Sequence, residues 1–132
     1  MSISQKRRKR RGLSCVEMAL VLPLLLLLTF GIIEYSIQFY VRGEMTNAAR
    51  EGARRLAVYD ATVEQARAVA LARLSGLNGN FSVSASLTPP GASDRDATVR
   101  ISVPMGDITS GIIVPTDGKT LTAEVTMRRE DD

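Results

Sequence analysis

The sequence has no histidine, no tryptophan and a single cysteine, Cys15, among its 132 residues. A structural zinc centre of the Cys/His kind, a cysteine and histidine nucleophile pair and an internal disulfide each need residues this chain does not have. No nucleophile and base pair suggests itself elsewhere, so the chain is read as not an enzyme and as requiring no cofactor. The basic character is also absent from most of the chain. Lys6, Arg7, Arg8, Lys9, Arg10 and Arg11 are contiguous, and taking those six away from 17 cations leaves 11 against 14 acids, turning a net charge of +3 into −3. The positive charge is a terminal label and not a property of the fold.

What is present is a long apolar run directly after that label. Met18 to Ile33 reads MALVLPLLLLLTFGII, sixteen residues without a charge, about 24 Å of helix at about 1.5 Å per residue. A hydrocarbon layer of about 30 Å needs slightly more. Extension back through Leu13 to Val16 and forward through Tyr35 to Val41 supplies it, with Glu17 and Glu34 near the two faces. Tyr35, Phe39 and Tyr40 suit the far interface, and the basic cluster holds the N-terminus on the cytoplasmic side. Six cations against a membrane segment are read as an orientation signal, with no nucleic-acid partner expected. A cleaved secretory signal would need small residues after the run, where the chain has TFGIIEYSIQFY. Cys15 precedes the apolar segment, the wrong order for a lipoprotein signal.

Glu17 is costly in an apolar helix unless it sits shallow or finds a partner. One reading pairs it with Arg10 and Arg11 about two turns below. The other starts from spacing: Gly12 closes the basic segment, four residues separate it from Glu17, and the apolar run follows at once. The string RRG/LSCVE followed by MALVLPLLLLL resembles a type IV prepilin processing site. That resemblance implies a prepilin peptidase cutting between Gly12 and Leu13, so that Leu13 acquires an α-ammonium that pairs with Glu17 of its own or a neighbouring subunit. In low dielectric such a pair carries weight. Glycine at the cut lets the backbone extend into a protease cleft.

More particularly, Val16, Glu17, Ala19, Leu20, Leu22, Pro23, the run Leu24 to Leu28, Gly31 and Glu34 resemble the TadE-like family, pseudopilins or minor pilins of the tight-adherence (Flp) pilus system. The Ala48-Ala49-Arg50-Glu51-Gly52-Ala53-Arg54 segment resembles a further family element. Met18, where major pilins of this type tend to carry Tyr, favours a minor component. The resemblance implies a single-pass protein of the bacterial inner membrane with its C-terminal domain outside, and partners among other pilins or pseudopilins and the assembly machinery. The alternative is an uncleaved signal anchor whose outer domain is a binding or scaffold module.

Beyond the span, Met45, Ala48, Ala49, Gly52, Ala53, Leu56 and Ala57 recur at helical spacing. With only Arg42 and Gly43 intervening, one helix from Leu13 to Tyr59, roughly 70 Å long, is predicted. The small residues of that stripe suit either core packing or a partner face. Thr62, Val63, Glu64 and Gln65 form a capping box that opens a second helix striped by Val63, Ala66, Ala70, Leu74 and Leu77, with Gly76 or Gly79 to end it. The period then changes to two in three strands carrying Phe81 to Leu87, Val99 to Val103 and Leu121 to Met127. Thr88 to Asp96, with Pro89, Pro90 and Gly91, reads as a loop. Met105 to Lys119 has no clear period, with Ile112 to Val114 either a short fourth strand or an inward-packing loop.

The expected architecture is α+β: a basic leader over 1–12, a transmembrane helix over 13–42 continuing outward, and an extracytoplasmic domain over 43–132. That domain holds a second helix and a three- to four-stranded antiparallel sheet, as in pilins. Asp94, Asp96, Asp107 and Asp117 lack the spacing of a calcium loop and are read as solvated, as is the tail Glu130, Asp131 and Asp132.

Overall fold

The computed structural model describes residues 3–58, 61–88 and 96–129, with side chains from Gly12 onward. The first element, α1, is a 56-residue helix from Ile3 to Val58, about 84 Å long at the standard rise. It begins before the Leu13 start expected from sequence, because the leader adopts helix as well. The predicted end at Tyr59 and the predicted loop residues 89–95, Asp94 among them, lie outside the described residues, as does the acidic tail.

Pro23 sits inside α1, where it removes one backbone donor opposite the Ala19 carbonyl. Two hydroxyls of the expected span are satisfied within the helix: Thr29 Oγ1 donates to the Leu25 carbonyl at 2.8 Å, and Ser36 Oγ to that of Ile32 at 2.7 Å. That habit suits a helix without water around it.

The second helix, α2, runs from Val63 to Leu74. Its capping box forms as the sequence indicates, the Gln65 amide donating to Thr62 Oγ1 and the Thr62 amide donating to Gln65 Oε1. It ends at the first of the two expected glycines, Gly76 directly following the C-cap. Ser75 is the C-cap in right-handed conformation, with its hydroxyl donating to the Ala72 carbonyl at 2.8 Å.

Three strands follow: β1 (Ser82–Leu87), β2 (Asp96–Pro104) and β3 (Thr120–Arg128). They form one antiparallel sheet in the order β1-β2-β3. The register places Val83 opposite Ile101, Ala85 opposite Val99, and Val99 and Ile101 opposite Val125 and Ala123. Period-two alternation therefore collects the apolar side chains on one face, and α1 and α2 cover it. The opposite face carries Ser82 with Ser102, Thr98 with Thr126 at 3.0 Å, and the Arg100 and Glu124 pair at 2.6 Å. At the β1 edge, Arg67 Nε from α2 donates to the Val83 carbonyl at 3.0 Å.

The core is continuous from Val41, Met45, Ala48, Ala49, Ala53 and Leu56 of α1 through Ala66, Ala70 and Leu74 of α2 to Val99, Ile101 and Val103 of β2. The small residues of α1 are thus core-packing residues. At Gly52 a Cβ would stand 3.3 Å from the Ala66 carbonyl oxygen and 3.4 Å from Val99 Cγ2. Only a residue of glycine or near-glycine size lets α2 and the sheet approach this closely.

Candidate functional site

Two stretches of α1 carry acidic side chains in apolar surroundings, and they differ in burial and in partners. The first is Gly12 to Glu17. Gly12, Leu13 and Glu17 lie in unbroken helix, all exposed, with Leu13 at 72%. Among the described residues Glu17 meets no hydrogen-bonding partner, and its neighbours on the surface are Ser14, Cys15, Met18 and Val21. A Cβ at Gly12 would meet nothing within 4 Å. Glycine there costs the helix about 1 kcal/mol relative to alanine and returns no packing. Gly43 is equally open, so openness alone assigns no role. What sets Gly12 apart is its place at the junction of charge and apolar run.

The second stretch surrounds Glu34, whose exposure is only 4%. The sequence marks it as a carboxylate near the membrane edge and as part of the TadE-like resemblance; the structure makes it the holding point for residues 110–114. Ser110 Oγ and the Ile112 amide donate to Glu34 Oε1 at 3.1 and 2.7 Å, while the Ile113 and Val114 amides donate to Oε2 at 3.1 and 3.0 Å. Three successive N–H groups converging on one anion form a nest, and the full charge on the acceptor strengthens each bond.

Local sequence prepares this geometry. Gly111, at φ +67°, turns the chain into the left-handed region so that the following amides point at one centre. Ile113 packs beside Gly31, one turn before Glu34, its Cγ2 at an ordinary contact distance of 3.8 Å from where a Cβ would stand. The base of the loop is closed by the Met105 amide donating to the Lys119 carbonyl at 2.9 Å. Ile112 to Val114 is therefore a clasped loop and not a fourth strand. The signal that could have found it is a buried acid's need for donors, set beside a Gly-Ile-Ile-Val-Pro run with amides to offer.

Asp107 is structural: its Oδ2 accepts from the Asn80 amide at 3.1 Å and from Asn80 Nδ2 at 2.9 Å, tying the approach to β1 to the loop. Asp96 is paired through its backbone with Thr88. Among the described residues no three potential metal ligands converge.

An apolar helix with none of its most hydrophobic window buried, joined without a break to an α+β domain, fits a single-pass membrane protein. The family model described as TadE-like protein matches residues 12–54, which include the Gly12 to Glu17 junction, the Leu-rich run, Glu34 and most of the small-residue stripe. No curated protein and no solved structure matches the chain.

Proposed function

We propose that the chain is a minor pilin or pseudopilin of a tight-adherence (Flp), type IV-like pilus system. It is anchored in the bacterial inner membrane by α1 with the α+β domain outside, and processed by a prepilin peptidase after Gly12. The observation that carries this reading is that the family match begins at Gly12 and takes in Glu17 and the whole apolar run. The match thus takes in Gly12, at the proposed cut, and runs through the apolar run to Arg54, leaving residues 1–11 outside it.

Removing residues 1–12 deletes six cations that favour the cytoplasmic side. It also creates an ammonium at Leu13 one helical turn from Glu17. In an assembly that ammonium pairs with Glu17 of the same or a neighbouring subunit, so an acid that is expensive alone becomes a registration point between helices. Partners on this reading are the peptidase, other pilins or pseudopilins and the assembly machinery, and the role is structural in pilus biogenesis, adhesion or secretion.

Mass spectrometry of the membrane-purified protein from cells containing the peptidase tests it. The expected N-terminus is Leu13 in the wild type, with the leader retained in a Gly12→Val variant; Glu17→Ala should be cut yet assemble poorly. A wild-type chain retaining the leader rejects the processing. The uncleaved-anchor alternative draws on the unbroken α1 around Gly12, which must unwind before any protease can reach the bond, and it predicts that Gly12 substitutions change nothing.

A further inference from the structure

Backbone that enters the apolar boundary of a membrane must have its polar groups satisfied by protein, because lipid supplies no partners. Ile112 to Pro115 meets the donor half of that demand completely. The amides of Ile112, Ile113 and Val114 all donate to Glu34, and Pro115 has no N–H to satisfy. Its side chains are wholly apolar, and Ile112 is 67% exposed. A loop built for water would show the opposite arrangement, with free amides and polar side chains.

The position of this loop along α1 gives its partner. Ile113 packs at the level of Gly31, where Phe30, Ile32 and Ile33 are exposed at 45, 59 and 49%. The loop tip is therefore continuous with the lipid-facing surface of the helix. The charge-free run from Met18 to Ile33 spans about 24 Å and falls about 6 Å short of the hydrocarbon layer. On the outer side the missing length is the turn Glu34 to Ile37, the turn that the loop clasps. Glu34 lies at that depth as an acid enclosed by protein donors instead of one facing lipid.

The geometry points to a second membrane contact: Ile112 to Pro115 is seated in the outer-leaflet interface, between acyl chains and head groups, and with α1 fixes the height and tilt of the domain. Tyr35, Phe39 and Tyr40, exposed at 57 to 61% on the uncovered side of the helix, complete the interfacial ring. The inference rests on the anchoring part of the proposed function and is independent of cleavage after Gly12.

The chain has no tryptophan, so one introduced indole reports alone. Full-length Ile112→Trp is reconstituted into phosphatidylcholine vesicles whose acyl chains are brominated near the head group or near the methyl end. The expected result is blue-shifted emission, quenched several-fold more strongly by shallow than by deep bromines, while Ser84→Trp on the polar sheet face is unaffected. Leu26→Trp, mid-helix, reports the anchoring itself and should be quenched by the deep bromines. If Leu26→Trp is quenched and Ile112→Trp behaves like Ser84→Trp, the loop contact is overturned and the anchor stands. If Leu26→Trp is not quenched, the anchoring reading fails and the contact fails with it. Shielding of residue 112 that vanishes on diluting the protein in lipid identifies a second copy as its cover and also overturns the proposal. Should Ile112→Trp not fold by circular dichroism, exposed Pro115→Trp decides on the same criteria.

Discussion

The two halves of α1 are equally helical and both rich in apolar residues, yet they are written for different surroundings. From Gly12 to Phe30 every residue is exposed, and leucines occupy all sides of the helix. From Glu34 to Leu56 one stripe is buried, comprising Glu34, Val41, Met45, Ala48, Ala49, Gly52, Ala53 and Leu56, and the opposite side carries Arg50, Arg54 and Arg55. The first half buries nothing within its own chain, so its stability must come from lipid or neighbouring helices. The second is stabilised by its own domain. The contrast teaches that hydrophobicity alone does not say where a helix goes; side-chain size and the presence of a polar face do.

Core truncation should separate the halves most sharply. Ile101→Ala or Leu56→Ala is expected to destabilise the domain by about 2 to 5 kcal/mol, measured by denaturant unfolding of the full chain in detergent, whereas Leu25→Ala should leave that transition where it is. Equal effects would mean that the apolar half also packs on the domain. Next comes overpacking at the small-residue stripe. Gly52→Val should cost about 1 to 3 kcal/mol, while Gly43→Ala, with open space around it, should gain up to about 1 kcal/mol.

Glu34 sits on the border between the halves, and its replacement tests whether the domain's grip reaches that far. In Glu34→Leu the amides of Ile112, Ile113 and Val114 lose their acceptor, and their hydrogen exchange should accelerate by on the order of tenfold, the weight of about one net hydrogen bond. Amides of β2 should stay protected. Gln38, one turn on, offers a gain of similar modest size. Among the described residues its Nε2 is buried without a partner, so Gln38→Leu should stabilise by about 1 kcal/mol. The smallest effect is expected on the outer sheet face, where breaking the exposed Arg100 and Glu124 pair should cost about 0.2 to 1 kcal/mol and less at high salt.

Much of this was legible wherever structure follows from local rules. Thr62 and Gln65 are three residues apart and cap each other, so the start of α2 could be read directly. The strands could be read because Val99, Ile101 and Val103 alternate with polar neighbours, and burial follows that alternation. The end of α2 was legible in place, since Gly76 directly follows the C-cap, but not in means, because the Ser75 side chain takes the Ala72 carbonyl. The tip of residues 105–119 was illegible for a different reason: the shape of residues 110–114 is set by Glu34, more than seventy positions earlier, and no periodicity encodes a partner that distant. Gly12, Leu13 and Glu17 stand out by spacing, but a single folded subunit gives their proposed chemistry nothing to act on.

The absence of a break in α1 has a mechanical consequence. Rise and rotation are locked together in a helix at about 1.5 Å and 100° per residue, so no swivel separates the greasy segment from the sheet it carries. A pull that drew the rod outward by one turn, about 5.4 Å, would lift the whole head by the same distance, and the isoleucine tip with it. If the proposed lipid contact holds, extraction is a single stroke of a stiff piston, with the grip on that tip as its first resistance.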